Sequence, residues 1–340
     1  MTKQQYAAIA GGIFIILFAV GFWYLYTRGI FNEVRAVIDG QPLAGELFIT
    51  LQDTANKTPD VYSYVLGAGE LKSFFGTNRN NMTAAFSADY KKIAYMSRQK
   101  GERAYQLYVL DADRSQLQQI TNDANRIKRE PVWSHNGAYI AYAVQPEGVT
   151  GADLSTPNSW QIFITTAAGK TLGVVSGTNP FFSPNDEVLF VLRADGIYAI
   201  DMPQFTQAAN AAAVTSSQAR LVVPSIADPK LPVSRSMKIA VSPDGRRLAW
   251  SVPKEGFVRI ATITQWEPLT IEKDKDLKVI AYYSVFSPDS QFVALQQADV
   301  VSDKLSNARV VAYKLSNFHS AKVLDLSAYD PSFMWLTAWR

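Results

Sequence analysis

The chain has 340 residues, of which 48% are hydrophobic and 19% are charged, so it can bury a large core and is not a disordered chain. Its 33 basic and 30 acidic residues are spread along the sequence, which argues against a nucleic-acid binder with Lys and Arg concentrated on one face. Because the chain contains no cysteine, disulfides, thiolate metal sites and a cysteine nucleophile are excluded.

The N-terminal segment is the first predicted element. No charged residue lies between Gln4 and Thr27, and residues 7–26 are long and apolar enough to cross the roughly 30 Å hydrocarbon layer of a bilayer as a helix. A cleaved signal peptide is the alternative, but the segment ends in Trp-Tyr-Leu-Tyr, without a small-residue cleavage site. We therefore predict a transmembrane α-helix within residues 1–28, which anchors the chain in a lipid bilayer, and a short linker in residues 29–44.

The orientation of this anchor is predicted from the positive charges that flank it. Lys3 and the amino terminus lie on one side, and Arg28 and Arg35 on the other, so the positive-inside count is nearly balanced. We favour a cytoplasmic N-terminus and an extracytoplasmic globular part, a choice that rests partly on the family resemblance described below.

The remainder of the chain, residues 45–340, is built from a repeat. Five ten-residue segments share an aromatic residue or Val, then Ser, then a tight turn of the Ser-Pro-Asp-Gly type and a β-rich run. Their first residues are spaced 47, 49, 59 and 45 residues apart, which is the size of a four-stranded propeller blade. The segments begin at Phe86, Trp133, Phe182, Val241 and Phe286.

The two ends of the repeat region predict how many blades there are. A spacing of 49 residues beyond Phe286 reaches Trp335, in a C-terminal strand that has no blade behind it, while the segment from Glu46 resembles a blade that lacks its first strand. Joining these halves gives an all-β fold, a six-bladed β-propeller closed by its C-terminal strand and preceded by one transmembrane helix. Seven blades is the alternative, if residues 203–237 hide a degenerate blade, but that stretch is better interpreted as a short helix and a Pro-rich loop.

The repeats resemble the TolB-like, WD40-like propeller family, whose signature is an aromatic residue followed by Ser-Pro-Asp-Gly and then Ile-Ala-aromatic-Ser. The segments at 130–142 and 241–250 are the closest copies, and the resemblance covers roughly residues 45–339. It implies a rigid disc of the cell envelope that binds other proteins or ligands, without a cofactor and without enzymatic activity. Members of that family are usually soluble and carry an extra N-terminal domain, so the short distance between anchor and first blade argues against a role in a translocation system.

The recurring Ser and Asp residues are interpreted as turn formers, because they occupy the same place in successive blades and Asn replaces Asp in two of them. Neither His135 nor His319 has a supporting motif nearby, and there is no Gly-x-Ser-x-Gly elbow, so we predict no catalytic residue and no metal site. The turn residues are Ser87, Asp89, Ser134, Ser183, Ser242, Asp244, Ser287 and Asp289.

Loops on the face opposite these turns are the predicted binding surface for a protein or glycan partner. They carry Arg79, Arg126, Arg129 and Trp160, and Arg and Trp are enriched among interface anchors. The sequence thus predicts a membrane-anchored, extracytoplasmic binding scaffold. The alternatives are a lactonase-like small-molecule hydrolase with a metal in the central channel and a structural subunit of an envelope complex.

Overall fold

The structure is a computed structural model. It describes residues 36–52, 58–76, 78–149, 159–203, 219–224, 238–252, 256–301, 304–331 and 334–340. The predicted anchor in residues 1–28 lies outside these residues, and within them no helix has the length and apolar character to cross a membrane. The described residues form a two-stranded hairpin and six four-stranded antiparallel sheets.

Each four-stranded sheet is one blade, whose strands run from the central channel outwards. The hairpin and blade 1 contain β1 (Val37–Ile38), β2 (Gln41–Pro42), β26 (Trp335–Trp339), β3 (Glu46–Gln52), β4 (Pro59–Val65) and β5 (Leu71–Ser73). Blades 2 and 3 contain β6 (Asn80–Phe86), β7 (Lys92–Arg98), β8 (Gln106–Asp111), β9 (Leu117–Gln119), β10 (Lys128–Trp133), β11 (Tyr139–Val144), β12 (Gln161–Thr166) and β13 (Thr171–Ser176). Blades 4 and 5 contain β14 (Thr178–Phe182), β15 (Val188–Arg193), β16 (Gly196–Asp201), β17 (Arg220–Pro224), β18 (Ala240–Val241), β19 (Arg247–Val252), β20 (Phe257–Trp266) and β21 (Leu269–Leu277). Blade 6 contains β22 (Ala281–Phe286), β23 (Phe292–Val301), β24 (Lys304–Lys314) and β25 (Ser320–Asp325).

Burial falls from the inside of each blade to its outside. The second strands β7, β11 and β15 are buried over almost their whole length, because neighbouring blades cover both of their faces. The outermost strand β9 is exposed at all three positions. This gradient explains why the second strands are nearly continuous apolar runs rather than alternating ones.

In the described part of the chain the core is divided into six apolar clusters, one between each pair of neighbouring blades. The cluster between blades 6 and 1 packs Ala294 and Val310 against Leu47, Ile49 and Leu336. Blade 6 therefore meets blade 1 through a core of the same kind as the other five, and the ring is closed.

The closing strand is β26, as predicted. Trp335 pairs with Thr50 and Trp339 with Leu47, so the C-terminal strand completes the sheet that begins at Glu46. Within this strand the expected alignment was wrong by four residues, because Trp339 rather than Trp335 occupies the position of Phe286 in blade 6. Phe286 and Trp339 lie 53 residues apart, because blade 6 has a longer outer strand than blade 2 and a nine-residue connection (326–334) between β25 and β26.

Blades 4 and 5 leave no room for a seventh blade between them. Strand β17, inside the stretch proposed for such a blade, is the outer strand of blade 4 and pairs with β16. One apolar cluster joins Phe190 of blade 4 directly to Leu248 of blade 5. The short helix predicted for this stretch falls on residues outside the described part.

The end of the predicted linker in residues 29–44 is a hairpin that packs against the ring. Ile38 and Leu43 are buried in the cluster between blades 6 and 1. At the hairpin turn, Asp39 accepts hydrogen bonds from His319 Nδ1 at 2.6 Å and Asn317 Nδ2 at 2.6 Å. These bonds, that from His319 first, hold the pKa of the Asp39 carboxyl at about 2. The chain thus enters the ring at a fixed point, beside the β24–β25 turn.

The Ser turns share one hydrogen-bond pattern. Ser87 Oγ donates to Asp89 Oδ1 at 2.7 Å and accepts from the Lys92 N–H at 3.0 Å, which ties the end of β6 to the start of β7. The donation from Ser87 also lowers the pKa of the Asp89 carboxyl. The same pair of bonds recurs at Ser134, Ser183, Ser242 and Ser287.

Substitutions in the Ser287 turn should show how much Ser287 and Asp289 each contribute to the stability of the protein. Ser287→Ala removes the acceptor of the buried Phe292 N–H and should lower the free energy of unfolding by about 1–2 kcal/mol. Asp289→Asn should cost less than about 0.5 kcal/mol, because Asn136 and Asn185 already accept the same bond in blades 3 and 4. Denaturant unfolding of both variants measures the difference, and equal losses would contradict this account of the turn.

Candidate binding funnel in the central channel

The central channel opens into a funnel on the turn face, the side of the disc that carries the Ser87, Ser134, Ser183, Ser242 and Ser287 turns. The funnel is a cavity of about 390 Å³, within the usual size range of ligand pockets. Each inner strand contributes its last residue to the lining: Phe86, Trp133, Phe182, Val241, Phe286 and Trp339. The aromatic position of the sequence repeat is therefore the wall of the funnel.

The two tryptophans of this wall keep their polar atoms satisfied by the protein. Trp133 Nε1 donates to the Ala85 carbonyl at 3.1 Å, and Trp339 Nε1 donates to the Ala44 carbonyl at 3.0 Å. Their rings are therefore locked in position and offer only carbon surface to the cavity. Such a wall can bury an apolar group of a ligand without leaving an indole N–H unpaired.

The rim holds His135 in place through Asp186, a residue that the sequence analysis did not single out. Asp186 Oδ1 lies 2.7 Å from the His135 N–H and 3.1 Å from its Nδ1, while Oδ2 accepts from the Asn136 N–H at 2.7 Å. Asp186 has a φ of 59° and is buried, so it bridges the turns of blades 3 and 4. It stands where blade 5 has Gly245, and this left-handed turn position gave no sequence signal of a bridging role.

Beneath the funnel lies a second, much smaller cavity of about 10 Å³, roughly the space of one water molecule, which we call the neck. The inner strands carry β-bulges here, which place Thr83 and Glu130 at φ values of 45° and 56°. Both residues line the neck. Thr83 Oγ1 and Glu130 Oε2 are buried without a hydrogen-bond partner in the described part of the chain.

Lys238 lies at the junction of funnel and neck and lines both. Its Nζ lies 3.4 Å from the Thr337 carbonyl. Burial lowers the pKa of the Lys238 ammonium, while the charge of Glu130 acts in the opposite direction. Sequence reasoning missed Lys238 because it lies just before the short strand β18, outside the repeated segment.

The four residues predicted to bind a partner all lie towards the opposite face, on strands and loops distant from the Ser turns. The structure gives two of them internal partners of their own. Arg79 donates from Nε to Ser97 Oγ at 2.8 Å and from Nη2 to Tyr108 OH at 2.9 Å. Arg126 pairs with Asp123 at 2.6 Å and stacks over Phe163.

The other two, Arg129 and Trp160, are brought together. The Arg129 guanidinium lies 3.7 Å from the centre of the Trp160 ring, and its Nε is 3.8 Å from Glu130 Oε1. Trp160 is only 4% exposed and belongs to the core between blades 3 and 4, not to an exposed loop surface as the sequence suggested. The pair therefore lies beside Glu130 of the neck. Partner binding through these four residues stays a prediction.

Comparison with known proteins addresses the fold. No family model and no curated protein matches the sequence. Among solved structures, TolB from Acinetobacter baumannii is 15% identical with a TM-score of 0.59, covering 88% of this chain and 67% of that one. The chain has a TolB-like, six-bladed propeller fold.

Other structures similar to this TolB-like propeller have different functions. A chain of the nidogen/laminin complex is 11% identical with a TM-score of 0.53, covering 86% of this chain and 97% of that one. An oligogalacturonate lyase from Vibrio parahaemolyticus is 12% identical with a TM-score of 0.52, covering 83% and 75%. At these identities the similarity establishes the fold, and function has to be argued from the site.

The described residues of the TolB-like propeller contain no group of three or more His, Asp or Glu side chains that could hold a metal ion. The channel lining in particular has Glu130 in the neck and no carboxylate in the funnel among these residues. The predictions of no metal site and no enzymatic activity remain predictions.

Lys128 is a buried cation at the opposite-face end of β10. Its Nζ donates to the Asp123 carbonyl at 2.6 Å and to the Arg126 carbonyl at 3.0 Å. Burial is the main reason that the Lys128 pKa is lowered to about 8, with Asp123 raising it and Arg126 lowering it further. In the unfolded chain a Lys has a pKa of about 10.4.

This pKa difference predicts how stability depends on pH. Between about pH 8 and 10.4 the unfolded chain binds a proton at Lys128 that the folded chain does not, so folding becomes more favourable as the pH rises. Relative to Lys128→Met, the wild-type protein should gain up to about 2 kcal/mol across this window, allowing for solvent screening. Urea unfolding of both proteins at several pH values measures it, and parallel pH profiles would refute the assignment.

Proposed function

We propose that this TolB-like propeller is a membrane-tethered, extracytoplasmic scaffold that binds a protein partner in its central funnel. The observation that carries the proposal is the cavity of about 390 Å³ on the turn face, walled by the aromatic residues of the inner strands. A concave apolar site on a rigid ring gains binding energy from burying apolar groups and loses little to its own reorganisation.

The chemistry of the lining supports a protein segment over a glycan. Most of the lining is apolar, and the two funnel tryptophans donate their N–H groups to backbone carbonyls, so the walls offer few hydrogen bonds to the many hydroxyls of a sugar. An apolar side chain of a partner would fit such walls, since aromatic residues dominate the energetics of protein interfaces.

The tether is supported by the charge-free run from Gln4 to Thr27, and the extracytoplasmic placement by the TolB-like fold together with the absence of cysteine. The β1–β2 hairpin adds a geometric argument. Asp39 is held by Asn317 and His319 on the β24–β25 turn, which lies on the turn face. The chain therefore enters the ring on the same side as the funnel, which favours a partner that is itself membrane-associated.

Site-specific photo-crosslinking in native membranes tests the funnel. A benzoylphenylalanine at Ala88, an exposed residue of the funnel rim, should give one discrete adduct with the partner. The same group at Arg126, on the opposite face, and at Glu272, on an outer strand, should give none. An adduct from position 126 alone would instead support the opposite-face prediction, and adducts from none of the three positions would refute a stable protein partner.

Membrane attachment and orientation are tested on the full chain. Alkaline carbonate extraction should leave the protein in the membrane pellet, because a spanning helix resists removal of peripheral proteins. In sealed right-side-out membranes, added protease should degrade the propeller and spare an N-terminal epitope tag. Release by carbonate, or protection of the propeller, would contradict the corresponding part of the proposal.

A further inference from the structure

The floor of the funnel, where Lys238 lies, carries a basic side chain, whereas the walls are apolar. Among the described residues that line the funnel, Lys238 is the one Lys or Arg, and none is Asp or Glu. The Lys238 side chain is enclosed by the inner strands but partly accessible through the cavity. A group that reaches the floor from the funnel therefore meets an ammonium first.

Hydroxyl groups accompany this ammonium. Ser284 is fully buried and lines the funnel, and Thr83 is buried and lines the neck beneath it. Neither hydroxyl oxygen has a hydrogen-bond partner in the described part of the chain. A buried polar group without a partner costs free energy, so an entirely apolar ligand would leave both hydroxyls unsatisfied.

The charges behind the floor leave it positive. Glu130 is the one carboxylate among the described residues that line the neck, and its Oε1 lies 3.8 Å from Nε of Arg129, whose guanidinium packs on the Trp160 ring. Arg129 and Glu130 offset each other, and among the described residues that line the funnel and the neck no second carboxylate faces the Lys238 ammonium. One bound carboxylate would neutralise it, and pairing buried charges is strongly favoured over leaving one unpaired.

We propose that the funnel floor is a carboxylate site, in which Lys238 receives the C-terminal carboxylate of a partner's apolar chain end, with the buried hydroxyls of Ser284 and Thr83 behind it. This inference rests on the proposed function and names the chemistry of the segment that the funnel takes. Apolar residues of the chain end lie against the aromatic wall, and the terminal carboxylate reaches Lys238.

The shape of the two cavities favours the end of a partner's polypeptide chain over a continuous segment as the ligand. The funnel has a volume of about 390 Å³ and the neck beneath it only about 10 Å³, so a ligand has room in the funnel and very little beyond Lys238. A chain end that enters from the turn face fits this shape as it is, whereas a continuous segment would have to turn back within the funnel.

The test compares acetyl-Ala-Leu-Phe as the free acid with its C-terminal amide, titrated into the full-length protein in detergent by calorimetry. The free acid should bind at least about ten-fold more tightly than the amide. In Lys238→Met, which keeps the length of the side chain and removes its charge, the two peptides should bind equally, while Lys238→Arg should retain the preference. Thermal unfolding of the variants verifies that they are folded.

Equal binding of acid and amide to the wild type, an undiminished preference in Lys238→Met, or no binding of either peptide would overturn the inference. Competition by acetate or inorganic phosphate as strong as that by the peptide acid would also overturn it, because it would indicate a site for free anions. If the crosslink from position 88 forms but is unaffected by Lys238→Met, the proposed function stands and the carboxylate site falls.

Discussion

Deletion of residues 335–340 should abolish the cooperative folding of the propeller. The deletion removes β26, the inner strand of blade 1, together with Leu336, which is fully buried, and Trp339, which is 5% exposed. Truncation of a single buried Leu or Trp costs about 2–5 kcal/mol, and the backbone bonds between β26 and β3 are lost as well. The sum approaches or exceeds the total stability of about 5–15 kcal/mol of an ordinary domain.

The expected result is a chain that retains β-structure in isolated blades but loses its sharp unfolding transition and is degraded rapidly by protease. Arg340→Ala is the matched control, since it removes a partly exposed ion pair with Glu46 and leaves the strand in place. It should cost less than about 1 kcal/mol. A truncated chain that unfolds cooperatively at the wild-type midpoint would show that the ring does not depend on its C-terminal strand.

Gly45→Ala should destabilise the protein by about 3–5 kcal/mol. Gly45 has a φ of 108°, and a Cβ built on it would lie 2.5 Å from the Arg340 carbonyl oxygen and 2.7 Å from Trp339 Nε1. The left-handed backbone costs an alanine about 1–2 kcal/mol, and overpacking against a strand that cannot move adds about 1–3 kcal/mol. Displacement of Trp339 would also break its bond to the Ala44 carbonyl.

Gly40→Ala separates these contributions. Gly40 also has a positive φ, of 75°, but no atom lies within 4 Å of its built Cβ. Only the backbone strain remains, so a loss of about 1 kcal/mol is expected. Equal destabilisation by the two substitutions in denaturant titrations would mean that the junction between Gly45 and the C-terminal strand is not tightly packed.

The strand framework was predictable because each blade repeats the same local chemistry. The aromatic residue at the end of the inner strand, the Ser turn and the apolar second strand each have a local cause, and Phe86, Ser87 and Ile93 show all three in blade 2. Closure followed from two incomplete halves at the chain ends. The position of Trp339 did not follow, because the outer strand and the following connection of blade 6 lengthen the spacing without changing the repeat.

The funnel and its neck were less predictable. The aromatic repeat was visible, but a single sequence does not reveal that its members converge around one cavity. Thr83 and Glu130 are placed by β-bulges, which insert a residue and re-aim side chains without a clear sequence signal. For Trp160 the sequence was misleading. A Trp beside a long loop suggested an exposed interface residue, whereas the structure buries it in the core with Arg129 packed over its ring.

The closed ring is tested most directly by a disulfide across its junction, in a chain that has no cysteine of its own. Glu46 and Arg340 exchange both backbone hydrogen bonds, a geometry whose Cα separation of about 5.5 Å suits a disulfide. Glu46→Cys/Arg340→Cys should oxidise to an intramolecular disulfide in the folded protein, detected by its mobility on non-reducing gels. Glu187→Cys/Arg340→Cys, which joins blade 4 to the closing strand across the ring, should not. Failure of the first pair to form a disulfide while the protein remains folded, or equal formation by both pairs, would contradict the closed propeller.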